Sequence, residues 1–245
     1  MTQKNNFNIH QFGEHACLIK WEEQPSETLT SFFASLKTLL VKELSQYVQD
    51  INFSFNEMAI YFNYDLNFKN VVEELERIIA EHKIDASDSI QKSVIEIPVC
   101  YDKDFGIDSE KLCAANKIST EEMIDIHSRP IYPVHFIGFL PGFPYLGEVD
   151  QKIAFPRREN PRTKIDAGSV GIANNQTGIY PIDSAGGWNI IGRTPIQLFD
   201  KKNEETLLKP GDYIKFISIG KKEFNRIKAL IRKGDYEIKT MRYNA

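Results

Sequence analysis

Along the first third of the chain the spacing of hydrophobic residues switches between two and about 3.6, the mark of strands alternating with helices. Segments 7–12 and 15–21 read as short strands meeting at a turn near Gly13. Leu29, Phe32, Phe33, Leu36, Leu39 and Leu40 then recur at helical spacing, and Ser26 stands where an N-cap belongs. Ile51, Phe53 and Phe55, followed by Met58, Ile60 and Phe62, predict two more strands that turn near Asn56-Glu57. Phe68, Val71, Val72, Leu75, Ile78 and Ile79 predict a second amphipathic helix after Asn67. The expected order is ββαββα, a small α+β domain over residues 1–88. The polar stretch HKIDASDSIQK closes it and places the boundary near residue 88, with a second domain over residues 89–245.

The second domain opens on a strand, VIEIPVCYD, and two short helices starting at Asp108 and Ser119. Ser119 with Glu122 three residues on is a capping box. The helix pair superficially matches a helix-turn-helix, yet the second helix carries no basic stripe, so packing is its expected role. From Tyr132 the pattern changes. Residues 138–195 hold 9 of the 14 glycines and 6 of the 11 prolines, and short apolar runs (SVGIA, GIYPI, WNIIG, IQLFD) alternate with turns. That pattern predicts a closed or layered β-structure. KPGDYIKFISI adds a strand, and KEFNRIKALIRKGDYEI a helix and a last strand.

Composition narrows the function classes. The 245 residues carry a net charge of −4, which argues against a binder dominated by nucleic-acid phosphate contacts but not against a local basic pocket. The three cysteines are scattered, with no CxxC or Cys/His spacing for zinc, and no metal site is expected. No apolar run approaches the roughly 18 residues of a membrane span, and the N-terminus has no apolar signal region. A reduced, cytoplasmic protein without membrane contact is the expectation.

Candidate chemistry concentrates in GFLPGFPYLG (138–147) and in residues 156–195. Arg157, Arg158, Arg162 and Arg193, four of the nine arginines, fall there, and each offers a rigid fork for a carboxylate or phosphate. Phe139, Phe143, Tyr145, Tyr180 and Trp188 suit an apolar wall, so the group fits a small anionic ligand or an extended peptide. A GxxxxGK[ST] phosphate loop and an HExxH motif are both missing, and AGSVG is one glycine short of a nucleophile elbow. His127, at the end of a short helix, is expected to stabilise that helix terminus, and His135 to be packed.

The segments IGFLPGFPYLG and FPRRENPRTKIDAGSVGIANNQTGIYPIDSAGGWNIIGRTP closely resemble the KipI / 5-oxoprolinase B-subunit family, also labelled allophanate hydrolase subunit 1 and similar to part of the carboxyltransferase region of urea carboxylase. The resemblance is weak over residues 1–88 and strong from Ile95 to Asp200. It implies a small N-terminal α+β sandwich followed by a cyclophilin-like β-barrel. It also implies one component of a 5-oxoprolinase, joining a larger C subunit (KipA-like) and an A subunit to open 5-oxoproline to glutamate with ATP. Alone the chain is expected to be inactive, with ATP held together with a partner. The alternative that the resemblance carries is an inhibitor of a sensor histidine kinase; a biotin-dependent carboxyltransferase fragment is a third reading, with biotin on another protein. Carried over residue by residue, the resemblance points to Arg157, Arg162, Gln176, Tyr180, Trp188 and Arg193 as ligand-binding residues, with Phe139 and Phe143 shaping the wall. The catalytic residues are left open. Asp166, Ala185 and Glu148 depart from the family's proline, proline and glycine, and Asp166 brings a negative charge near the arginines.

Overall fold

A computed structural model of the chain describes residues 7–63, 67–82 and 92–243. The chain divides into two compact units, Met1–Ile90 and Gln91–Ala245. The boundary expected near residue 88 lies outside the described residues.

The first unit runs β1 (Phe7–Gln11), β2 (Ala16–Trp21), α1 (Glu27–Glu43), β3 (Val48–Ser54), β4 (Glu57–Phe62) and α2 (Phe68–Glu81). The strands form one antiparallel sheet in the order β1-β2-β4-β3. Both helices start where side chains satisfy their free N–H groups. Ser26 Oγ accepts from Leu29 N at 3.1 Å, and Asn67 Oδ1 from Lys69 N at 3.1 Å. Leu29, Phe33, Leu36 and Leu40 of α1 and Leu75, Ile78 and Ile79 of α2 bury against Ile19, Trp21, Ile51, Met58 and Ile60 of the sheet. The alternation misplaces one residue: Phe55 is not in a strand but in the turn, at φ 51° and exposed, because the chain reverses at Phe55-Asn56.

The second unit comprises β5 (Lys92–Cys100), α3 (Ser109–Asn116), α4 (Thr120–Ser128), β6 (Ile131–Ile137), β7 (Pro144–Glu148), β8 (Arg162–Ile165), β9 (Ser169–Ala173), β10 (Gln176–Ile179), β11 (Ser184–Gly186), β12 (Asn189–Arg193), β13 (Phe199–Asp200), β14 (Glu205–Thr206), β15 (Tyr213–Ile219), α5 (Lys221–Lys233) and β16 (Thr240–Tyr243). Seven strands follow one another as β12-β9-β10-β7-β6-β15-β5, and pairing of β12 with β5 closes them into a barrel. β16 adds to β5 outside the ring. β5 and β15 are parallel, while the other pairs in the ring are antiparallel. The interior is filled by Ile97, Val99, Val134, Leu146, Val170, Ile172, Ile179, Ile191, Ile214 and Phe216, and α3 and α4 add Leu112, Met123 and Ile126 to the same cluster. Ser119 Oγ caps α4 by accepting from Glu122 N at 3.0 Å.

The apolar runs that lack alternation have a physical cause. On β9 and β12 both faces are buried: Val170, Ile172 and Ile191 point inward, while Ala173 and Ile190 join an outer layer with Phe143, Ile165, Tyr180 and Trp188. Sheets covered on both sides read as continuous apolar segments. Among the described residues no helix is long and apolar enough to cross a membrane.

His127 departs from its expected role. It is fully buried and stacks on Phe216 at 4.5 Å. Thr177 donates its single hydroxyl proton to Gly171 O at 3.1 Å, so His127 Nε2 carries a proton and donates to Thr177 Oγ1 at 2.8 Å. Nδ1 then accepts from the Tyr101 hydroxyl at 2.8 Å. Burial pushes the pKa down to about 3, and a neutral imidazole adds nothing to the helix terminus. The unfolded chain takes up a proton near pH 6.5 whereas the folded one does not until about 3. His127 therefore lowers stability as pH falls through that window, by about 1.4 kcal/mol per pH unit. Urea unfolding between pH 6 and pH 4 should show this extra slope in the native chain and its loss in His127→Gln; equal slopes would refute it.

Candidate functional site

Covering the β9–β10–β12 wall is a layer built around one ring. Phe143 is 1% exposed and touches four aromatics: Phe139 at 5.8 Å, Tyr145 at 5.0 Å, Tyr180 at 5.1 Å and Trp188 at 5.3 Å between centroids. The Phe139, Tyr180 and Trp188 contacts are edge-to-face, the arrangement favoured by ring quadrupoles. Gly178 makes room for it, since a β-carbon there would lie 3.0 Å from the Phe143 ring and 2.8 Å from Pro144 O. Tyr145 extends the wall, stacked on Phe136 at 4.2 Å. Phe139 stands at the loop tip with φ 66° and 60% exposure.

The arginines divide into two kinds. Arg162 is committed: its Nη1 and Nη2 donate to both oxygens of Asp108 at 2.8 and 2.7 Å. Arg158 Nη1 adds a third contact at 3.1 Å and Ile190 N a fourth at 2.7 Å, around a carboxylate only 4% exposed. These two arginines hold the 156–162 loop and β8 onto α3 and β12. Arg157, between them and the aromatic layer, is exposed and has no ion pair among the described residues. Its guanidinium lies against Gly187, and its charge acts on the Tyr145 and Tyr180 phenols, opposing the rise in pKa that burial gives them. Burial outweighs that charge, so both phenols stay protonated near neutral pH.

Arg193 belongs to neither group. Its Nε donates to Ala167 O at 2.9 Å and its Nη1 to Asp166 at 3.0 Å, and it lies 6.0 Å from the Phe105 ring. The negative charge that Asp166 brings among the arginines thus falls on Arg193. The turn beneath it needs Gly168, whose φ is 84° and whose β-carbon would collide with Thr194 O. Gln176 is half-buried and opens β10 opposite Glu148 and Ala173, beside the aromatic layer. The structure thus brings Arg157, Phe139, Phe143, Tyr180, Trp188 and Gln176 to one region, keeps Arg162 bound to Asp108 at its border, where its charge reaches the Tyr180 phenol, and sets Arg193 elsewhere. Among the described residues no group of three or more His, Cys, Asp or Glu side chains is placed to hold a metal ion.

The family described as Carboxyltransferase domain, subdomain C and D, matches residues 7–209. The chain belongs to this family. Within it, the chain is 36% identical over 242 residues to the B subunit of a 5-oxoprolinase from Bacillus subtilis, a match spanning 91% of this chain and 97% of that protein. The corresponding 5-oxoprolinase B subunit of Haemophilus influenzae is 42% identical over 176 residues, spanning 71% and 81% of the two chains. Among solved structures, that of TTHA0988 superposes with a TM-score of 0.71 at 29% identity over 84% of this chain, and the match spans 40% of that longer protein. The names of these relatives favour the enzyme component over the kinase inhibitor.

Two features of this carboxyltransferase-family site escape sequence reasoning. Tyr145 groups with the wall, but nothing in the sequence marks it as the phenol beside Arg157. Asp108 reads only as a helix start, and no local signal links it to arginines fifty residues on. Removing the Asp108 carboxylate leaves two part-buried guanidinium groups unpaired, so Asp108→Ala should cost about 3–5 kcal/mol in urea unfolding. Arg193→Ala, whose partner Asp166 is half exposed, should cost about 1 kcal/mol or less. Equal losses in the two variants would contradict this division.

Proposed function

We propose that the chain is the B subunit of an ATP-dependent 5-oxoprolinase, acting in the cytoplasm with partner A and C subunits and inactive without them. The match to the Bacillus subtilis protein along nearly its whole length carries this reading. The chemistry required is activation of an unreactive cyclic amide. Transfer of the ATP γ-phosphoryl group to the amide oxygen releases ADP and makes the ring carbon electrophilic. Water then adds to that carbon, the C–N bond breaks with protonation of nitrogen to leave an acyl phosphate, and a second water hydrolyses this to glutamate and phosphate.

The geometry supports a share of that work on this chain. 5-Oxoproline is a small carboxylate on a flat ring. Arg157 is a charged fork with no ion pair among the described residues, standing beside apolar aromatic faces and the protonated Tyr145 phenol. In this reading Arg157 takes the carboxylate, Tyr145 lines the ring's seat, Gln176 supplies an amide at its edge, and Phe139 closes the loop side. Tyr180, Trp188 and Phe143 are buried and hold the seat in shape. Arg162 acts through Asp108, as a positioning residue. The barrel resembles cyclophilin in this reading, with its ligand face on the outside of the wall.

Reconstituted with its partners, the native chain should convert 5-oxoproline to glutamate with ATP consumed, and alone it should not. Arg157→Ala should raise KM for 5-oxoproline about tenfold or more with unchanged unfolding stability, and Arg157→Lys should recover part of the loss. Turnover by the isolated chain, or an unaltered KM in Arg157→Ala, would overturn the assignment.

A further inference from the structure

Three tyrosines of the second unit have engaged hydroxyls. Tyr101 meets His127 Nδ1 at 2.8 Å, Tyr132 donates to the His127 carbonyl at 2.9 Å, and the buried Tyr180 oxygen is met by the Trp188 backbone N–H. Tyr145 differs: it is half-buried, and its hydroxyl has no hydrogen-bond partner among the described residues. Its ring is nevertheless fixed. Phe136 stacks on it at 4.2 Å with the planes 15° apart, and Phe143 and Trp188 meet it at 5.0 and 5.8 Å. Phenylalanine would make the same ring contacts, so the hydroxyl gains this tyrosine no contact within the chain. It stands instead in the field of the Arg157 guanidinium.

Opening the lactam ring needs a proton at the departing nitrogen. Of the residues placed at the seat, Arg157 keeps its protons at any working pH, the Gln176 amide has no acidic proton, and Phe139 and Phe143 carry none to give. Tyr180 lies behind them, 1% exposed. That leaves the Tyr145 hydroxyl. In 5-oxoproline the ring nitrogen and the carboxylate share one carbon. A carboxylate held by Arg157 therefore sets the nitrogen among the neighbours of that guanidinium, where Tyr145 stands.

We propose that Tyr145 is the general acid of ring opening, its hydroxyl giving a proton to the lactam nitrogen as the C–N bond breaks. This assignment rests on the 5-oxoprolinase reading above. After water has added to the phosphorylated carbon, the C–N electron pair goes to nitrogen, which takes the Tyr145 proton and becomes the amine. The new hydroxyl on carbon loses its own proton as the acyl phosphate forms. That proton returns to the phenolate through solvent, so the step leaves no net charge behind. A nitrogen whose bond is breaking becomes far more basic than a phenolate, which makes the transfer downhill. Burial raises the Tyr145 pKa while Arg157 opposes the rise, so the phenol holds its proton at neutral pH and the transient phenolate meets a neighbouring cation.

Steady-state kinetics on the complex reconstituted with its A and C subunits separate this role from binding or packing. Tyr145→Phe keeps the three ring contacts, so its urea unfolding should match that of the native chain. Its kcat for glutamate formation should fall about a hundredfold or more, with KM for 5-oxoproline within about twofold of native. Arg157→Ala should show the opposite split, in KM. The native kcat should also fall at alkaline pH as the phenol ionises, and the residual activity of Tyr145→Phe should lack that limb. An unchanged kcat in Tyr145→Phe, or a raised KM with kcat intact, would overturn the proposal while the working native complex upholds the functional reading. A native complex that leaves 5-oxoproline untouched refutes the functional reading, and the role of Tyr145 falls with it.

Discussion

The buried carboxylate of Asp108 is the constraint on which the rest of the site depends. Taking one charge out of water costs several kcal/mol, and it is tolerated only where donors surround it. Here a bidentate guanidinium, a second guanidinium and a backbone N–H do so, and they arrive from three separate segments. Satisfying one acidic group therefore fixes the start of α3, the 156–162 loop, β8 and the start of β12 at once. Arg157 sits directly before Arg158, whose own N–H donates to Gly187 O at 2.8 Å. Its backbone is held by its neighbour while its guanidinium faces outward. Adjacent arginines thus divide the labour, one tying the loop down and one turned to the aromatic layer.

The aromatic layer follows a similar logic. A barrel wall that is apolar on both faces needs a cover, and the 138–143 loop with the β8–β11 pair supplies it through Phe143, Ile165, Tyr180 and Trp188. Because Phe143 meets four rings at near-optimal separations, the cover is rigid at its centre and exposed only at Phe139 and the flank of Tyr145. A surface made this way is formed in advance, so the seat proposed for 5-oxoproline would need little ordering on binding.

Local features are legible in the sequence because they are set by neighbours a few residues apart. Ser26, Asn67 and Ser119 cap helices as their positions imply, the first-unit strands alternate as expected, and the Gly- and Pro-rich half is a closed barrel. What is illegible depends on distant partners. Arg157 and Arg162 look alike in a sequence, and only the approach of Asp108 across more than fifty residues separates an open fork from an occupied one. His127 reads as a helix-end cation, but Tyr101, Thr177 and Phe216 enclose it from three other segments and keep it neutral. Phe55 fits an alternating pattern that continues one residue past the strand, where the turn takes over.

The parallel pairing of β5 with β15 also sets an order of events during synthesis. β5 opens the second unit, yet its partners β12, β15 and β16 all lie in the last quarter of the chain. On the ribosome the first unit has its whole sheet available early and can fold from contacts within its own residues. β5 must wait, its apolar Val94, Ile97 and Val99 uncovered, until almost the entire chain has emerged. Ring closure is then a late step dominated by long-range contacts, the kind that folds slowly. During that interval the nascent barrel is the part of the molecule most in need of a chaperone.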